Sequence, residues 1–192
     1  MLVLIAGLLI FLGAHSLRIF ADGWRGRQIA RLGVKRWKGL FALVSIIGFV
    51  LICWGFGLAR QQPVILYVPP PGLRHLNALF TLLAFVLFFA ARVPRNHFKA
   101  KLGHPQVLAV LLWAFGHLLA TGMLHDAVLF GAFLLWAVVL FVVSRRRDLR
   151  ADTHYPAGTL AGDALAGAIG LAVWVAFALW LHLWLIGVNP LA

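Results

Sequence analysis

The sequence contains little charge and no glutamate. Of its 192 residues only 11% are Asp, Glu, Lys or Arg, and all five acidic residues are Asp. A soluble domain carries roughly a quarter of charged residues, so this composition excludes a soluble globular domain. The hydrophobic fraction of 63% and the mean hydropathy of +0.96 also exclude a disordered chain. The composition therefore predicts an integral membrane protein.

Cysteine is almost absent, and acidic residues are too few to balance the basic ones. Cys53 is the only cysteine and lies in an apolar run, which excludes a disulfide framework, a Cys-based zinc site and an iron–sulfur cluster. The formal net charge of +12 could by itself suit a nucleic-acid binder. However, the basic residues form short patches between long apolar runs, where determinants of membrane topology belong. We expect the lipid bilayer as a partner and no nucleic acid.

The apolar residues are gathered in six runs, most of them close to the roughly 20 residues that a membrane-spanning helix needs. They cover residues 1–20, 39–59, 75–91, 105–123, 127–144 and 159–187. The pattern predicts an all-α polytopic helix bundle with about six transmembrane helices in a single domain, residues 1–192.

The basic residues separate sharply between alternate linkers. Counting Arg18, fifteen of the 17 Lys and Arg residues fall at one set of helix ends, and only Arg60 and Arg74 fall at the other. Because positive charge is retained in the cytoplasm, both termini are predicted to be extracytoplasmic. Asp163, one turn into the sixth run, is expected to pair with Arg18, whereas Asp148 is expected in a solvated linker.

Eight histidines stand out in so apolar a chain, because histidine inside a membrane is costly and often functional. Four of them, His75, His97, His125 and His154, are assigned to linkers or boundaries, which leaves His15, His104, His117 and His182. Since a helix rises 1.5 Å per residue, His104 and His117 lie about 20 Å apart on one helix.

Two histidines from different helices at one depth are the arrangement that holds a haem. His15 and His104 lie at similar depths in different helices and satisfy this condition. No third ligand for a catalytic zinc site lies at their depth. From spacing alone, the alternative that these histidines only form hydrogen bonds between helices stays open.

A motif in the fourth run adds a resemblance. Gly103-His104-Pro105-Gln106 is followed by Trp113-Ala114-Phe115-Gly116-His117 and by Leu118-Leu119-Ala120-Thr121-Gly122. Together with His15-Ser16 and the segment Arg36-Trp37-Lys38-Gly39-Leu40, this motif resembles the NnrU family of bacterial membrane proteins, which is similar in turn to the plastid zeta-carotene isomerases. The resemblance covers essentially the whole chain. One departure is Thr121, where asparagine is expected.

The resemblance implies a multi-pass protein of the bacterial inner (plasma) membrane. It implies haem b as the cofactor, with His15 and His104 as the iron ligands. It places the remaining motif residues, His117, Gln106 and Trp113, around the cofactor or on the substrate side. It links the protein to nitrite and nitric oxide metabolism in denitrification, or to haem-dependent isomerisation of an apolar, isoprenoid-like substrate.

Two alternatives belong to other functional classes. The first is a non-catalytic membrane accessory, assembly or transport factor for a respiratory reductase, in which the histidines are structural and no cofactor is bound. The second is a membrane methyltransferase, because His-Pro at the start of a helix also resembles the isoprenylcysteine methyltransferases. The absence of glutamate disfavours the second, since those enzymes typically carry acidic residues near the cofactor and the lipid substrate.

Overall fold

The computed structural model describes residues 1–191, and these are mainly helical. In chain order the helices are α1 Leu2–Phe20, α2 Asp22–Leu32, α3 Val34–Arg60, α4 Gly72–Ala90, α5 His97–Leu102, α6 Pro105–Ala120, α7 Leu124–Arg150, α8 Leu160–Ala176 and α9 His182–Ile186. A π-helical segment, Phe177–Leu181, joins α8 to α9. Within the described residues, an isolated antiparallel bridge joins Ile65 to Met123.

Each of the six predicted apolar runs forms a helix. Five helical segments are long and apolar enough to cross a membrane, namely Leu2–Phe20, Val34–Arg60, Gly72–Ala90, Leu124–Arg150 and Leu160–Ile186. The sixth, α6, is a shorter apolar helix of 16 residues, which corresponds to about 24 Å. The prediction of an all-α polytopic membrane protein is confirmed.

The chain divides into two compact units. The first comprises residues 1–66 and 123–132, and the second comprises residues 67–122 and those from 133 onward. Helix α7 therefore begins in the first unit and continues in the second. The two units are described separately below.

In the first unit, α1 and α3 pack through glycines. A Cβ atom on Gly55 would lie 2.6 Å from Leu4 Cα, and one on Gly48 would lie 2.8 Å from the backbone nitrogen of Phe11. Leu4 is fully buried. Small residues let membrane helices approach backbone to backbone, which is how helices associate where lipid is as apolar as the side chains.

In the second unit, α4 packs against both α6 and α8. A Cβ atom on Gly170 of α8 would lie 2.6 Å from Val86 Cα of α4. Nearby, Trp174 donates a hydrogen bond from Nε1 to Thr81 Oγ1 at 3.1 Å. The close backbone approach and this partly buried hydrogen bond together hold α8 against α4.

Two short helices, α2 and α5, lie in linkers where no helix was predicted. Helix α2 begins with Asp22 and carries Arg31 in its last turn, charges that suit the helix dipole. Helix α5 is capped by Asn96, whose side chain accepts a hydrogen bond from the Lys99 backbone N–H. Residues at the ends of both helices therefore favour them. Neither helix is apolar enough to be predicted as membrane-spanning.

Candidate functional site

His15 lies in α1 with its ring orientation fixed by its own helix. Its Nδ1 is 2.7 Å from the carbonyl oxygen of Phe11, one turn earlier. The Phe11 ring stacks on the imidazole at 4.3 Å between centroids, and Phe41 of α3 meets it edge-on at 5.0 Å. Because a carbonyl only accepts, Nδ1 carries the proton, and in neutral imidazole the lone pair then lies on Nε2.

His104 stands at the N-terminus of α6, just after Gly103. That glycine has φ +74°, a conformation that glycine adopts without strain and that turns the chain from α5 into α6. His104 Nε2 is 2.8 Å from Asp148 Oδ2, and the Tyr155 hydroxyl donates to the same oxygen at 2.8 Å. Arg145 lies 3.8 Å from it. In neutral His104 this carboxylate contact places the proton on Nε2 and the lone pair on Nδ1.

The carboxylate of Asp148 also affects the pKa of the Tyr155 hydroxyl. Burial and then the hydrogen bond to Asp148 raise the pKa of Tyr155 above its ordinary value of 10.0. Tyr155 lies in the segment between α7 and α8, outside the apolar helices. His104, Asp148 and Tyr155 thus form a hydrogen-bonded cluster that ties the start of α6 to the end of α7.

His117 lies near the C-terminal end of α6 and repeats the geometry of His15. Its Nδ1 is 2.8 Å from the carbonyl oxygen of Trp113, again four residues earlier. The two side-chain rings lie 5.5 Å apart, and Trp113 meets Phe133 edge-on at 5.5 Å. In neutral His117 the lone pair therefore lies on Nε2, among aromatic side chains.

Gln106, in the first turn of α6, lies apart from that aromatic cluster. Its Oε1 accepts a hydrogen bond of 2.7 Å from Arg92 Nη1. The second unit thus brings Trp113 and His117 together, while His104 contacts Asp148 and Gln106 contacts Arg92. The role of Gln106 beside the cofactor or substrate stays a prediction. The same holds for the roles of His15, His104, His117 and Trp113.

A second histidine–carboxylate pair joins Asp163 to His97, a residue that the sequence assigns to a linker. Asp163 accepts hydrogen bonds from the backbone N–H of His97 at 2.7 Å and contacts its Nδ1 through the other oxygen at 2.7 Å. The pair fastens α5 to the first turn of α8. The sequence feature that indicates such a pair is Asp163 itself, because a single carboxylate near a membrane boundary needs a partner.

Among the described residues, no group of three or more His, Cys, Asp or Glu side chains is placed to hold a metal ion. Haem requires only one or two protein ligands, because the porphyrin supplies four nitrogens. An imidazole binds haem iron through the ring nitrogen that carries the lone pair. The ring hydrogen bonds of His15, His104 and His117 indicate which nitrogen that is in each neutral ring.

The long apolar helices, the basic linkers and the histidines within the helices define a polytopic α-helical membrane protein. Residues 3–190 match the family model described as NnrU protein. The chain therefore belongs to the NnrU family. No curated protein and no solved structure matches it.

Proposed function

We propose that the protein is an integral membrane haem-b protein in which His15 is an axial ligand of the iron. The observation that carries this proposal is the hydrogen bond from His15 Nδ1 to the Phe11 carbonyl at 2.7 Å. Histidines that ligate metals almost always donate their other ring N–H to a carbonyl or carboxylate, which fixes the tautomer and orients the ring. The phenylalanine rings around His15 suit an apolar macrocycle.

The histidines of the second unit fit a haem iron unequally. His117 resembles His15, because its Nδ1 is engaged with a backbone carbonyl and its lone pair lies on Nε2. His104 has its Nε2 engaged with Asp148, so it would ligate through Nδ1 or after release of that contact. Ring geometry alone does not select the second ligand, because helical rise places His117 about 20 Å from His104. His104 lies at the predicted depth of His15 and is therefore kept as the second ligand, with His117 near the cofactor or on the substrate side.

The predicted depths rest on the end of α1 at Phe20 and the start of α6 at Pro105, and both helices have these ends in the structure. His104 therefore stays at the boundary where α6 starts, and His117 lies about 20 Å from it. The shorter length of α6, 16 residues, changes only its far end. Depth therefore favours His104 as the partner of His15.

A bound haem would supply a one-electron redox centre, and its iron would take up a small ligand such as nitric oxide only where one of the two histidines dissociates. The chain's own contribution would be to orient the imidazoles through the Phe11 carbonyl and the Asp148 carboxylate and to exclude water with aromatic side chains. These properties suit both functions that the family resemblance implies, namely nitrogen-oxide metabolism and isomerisation of an apolar substrate in the inner membrane.

The proposal is tested by visible spectra of the purified protein and of four single-alanine variants. His15→Ala and His104→Ala are each expected to lose most of the haem absorbance. His117→Ala is expected to retain it, as is the control His154→Ala, whose side chain is 82% exposed.

Retention of haem in His15→Ala would overturn the proposal. Loss in His117→Ala with retention in His104→Ala would reverse the choice of second ligand.

A further inference from the structure

A small cavity lies in the second unit beside the segment that connects α4 to α5. Its volume is about 160 Å³, and it is lined by Pro94, Arg95, Asn96, Lys99 and Pro156. That volume is about five times the ~30 Å³ that one water molecule occupies in the liquid. The cavity is therefore large enough for a small hydrated anion rather than for a large apolar ligand.

The walls of this cavity are held in place by buried hydrogen bonds. Asn96 is 1% exposed, and its Nδ2 donates to the carbonyl oxygens of Ala90 at 2.8 Å and Val93 at 2.7 Å. The backbone N–H of Thr159 donates to the Arg95 carbonyl at 2.7 Å. These hydrogen bonds fix the segment from both sides.

The charge of the lining is positive. Arg95 and Lys99 are the only ionisable residues among the five that line the cavity. Lys99 Nζ donates to the Ala91 carbonyl at 3.3 Å, which engages one of its three donors. The carboxylate of Asp163 is bound by His97 through both oxygens and does not line the cavity. The five lining residues therefore include two basic side chains and no acid.

The cavity lies where apolar helices end. Helix α4 ends at Ala90 and α8 begins at Leu160, and the buried cluster beneath the segment contains Ala90, Val93 and Ala166. Side chains just beyond such ends lie at the level of the lipid headgroups. Basic pockets at the cytoplasmic ends of membrane helices are typical sites for anionic lipid headgroups.

We propose that this cavity binds the phosphate of an anionic phospholipid, with Arg95 and Lys99 as the charged contacts. The acyl chains would then lie along the apolar helices below. The lipid and not free phosphate is the expected ligand, because its chains are held by the membrane at the depth of the cavity. This site is separate from the histidines of the proposed haem protein.

The test is native mass spectrometry of the protein released from nanodiscs of phosphatidylcholine with or without phosphatidylglycerol. The double variant Arg95→Gln/Lys99→Gln removes both charged contacts of a headgroup bound in the cavity and is therefore expected to retain at least about tenfold less phosphatidylglycerol than the wild type. The control, Arg27→Gln/Arg31→Gln in α2, removes the same charge and is expected to retain wild-type binding.

Two further arms keep the proposal falsifiable. The charge-conserving variant Arg95→Lys/Lys99→Arg is expected to retain the lipid; if it lost binding as fully as the glutamine variant, the charge of the cavity would not be the cause. Inorganic phosphate is expected not to displace the lipid. Displacement by phosphate, or equal losses in the two glutamine variants, would overturn the assignment of a lipid site to this cavity.

Discussion

At the scale of single residues, every aspartate has a histidine or arginine within 4.0 Å. The pairs are Asp22 with Arg25, Asp126 with His125, Asp148 with His104 and Arg145, Asp152 with His154, and Asp163 with His97. The chain has five acidic residues and 17 Lys and Arg residues, so the number of carboxylates limits how many ion pairs can form. Those that are poorly exposed are expected to matter most for stability.

The carboxylate of Asp148 is the sharpest case. Its side chain is only 12% exposed, and it accepts hydrogen bonds from both His104 and Tyr155. Removing an acceptor that leaves donors without a partner costs about 1–3 kcal/mol. Asp148→Ala is therefore expected to lower the midpoint of thermal unfolding in detergent.

The control is Asp152→Asn, four residues further along, whose side chain is 94% exposed. Asparagine is chosen because Asp152 has φ +47°, a conformation that asparagine tolerates better than alanine. This variant is expected to unfold like the wild type. Equal midpoints for the two variants would show that the cluster around Asp148 contributes no stability.

Tyr155 gives that cluster a dependence on pH. Its raised pKa means that folding favours the protonated phenol. The stability it contributes is fully present below the unfolded pKa of about 10 and is lost as the pH rises through the higher folded pKa. Tyr155→Phe is expected to show a smaller loss of stability than the wild type as the pH rises above about 10. Parallel pH profiles of unfolding would contradict the shift.

The sequence placed Asp148 in a solvated linker, and this was wrong because α7 continues to Arg150. The extra turns carry Asp148 back against the start of α6, where His104 meets it. Hydropathy alone does not detect this, since the end of α7 is rich in arginine. Asp163 was correctly expected to need a partner, but the structure identifies His97, from a linker whose fold the sequence did not predict.

At the scale of elements, glycines set the distance between α1 and α3. Gly55 faces the backbone of α1, whereas an added Cβ on Gly57 would meet nothing within 4 Å. Overpacking a close contact costs about 1–3 kcal/mol, so Gly55→Ala is expected to lower the unfolding midpoint. Gly57→Ala, on the same helix, is expected to be neutral or slightly stabilising, because alanine favours helix. Destabilisation by Gly57→Ala alone would contradict the packing of α1 on α3.

The apolar helices were predictable from the sequence and the linker helices were not. Six runs of suitable length identify α1, α3, α4, α6, α7 and the helical segment Leu160–Ile186. Helices α2 and α5 are short and polar, and their signals are a few capping and terminal residues such as Asp22 and Asn96. Such local signals predict boundaries only when the neighbouring helices are already known.

At the scale of the whole molecule, the distribution of charge predicts the membrane orientation. A reporter fused after Ala192 and one inserted near Pro70 are expected to be extracytoplasmic. A reporter near Arg147 is expected to be cytoplasmic, because most basic residues lie on that side. Protease protection or a periplasm-specific enzyme reporter measures the sides. The same side for Ala192 and Arg147 would contradict six spans.

The candidate histidines were identifiable from the sequence, but their chemistry was not. Position along a helix gives an approximate depth, whereas the nitrogen that carries the lone pair depends on hydrogen bonds to Phe11, Trp113 and Asp148. These are the contacts by which the structure separates His15 and His117 from His104. The tautomer of each ring depends on its hydrogen-bond partners in the folded protein, so it cannot be predicted from the spacing of histidines in the sequence.

The most direct test of the central proposal is the visible spectrum of the wild-type protein, expressed with added haem precursor and purified in detergent. The account predicts a Soret band and sharp α and β bands on reduction, typical of iron with histidine ligands. A colourless protein under these conditions would contradict haem binding and would favour the non-catalytic accessory factor for a respiratory reductase.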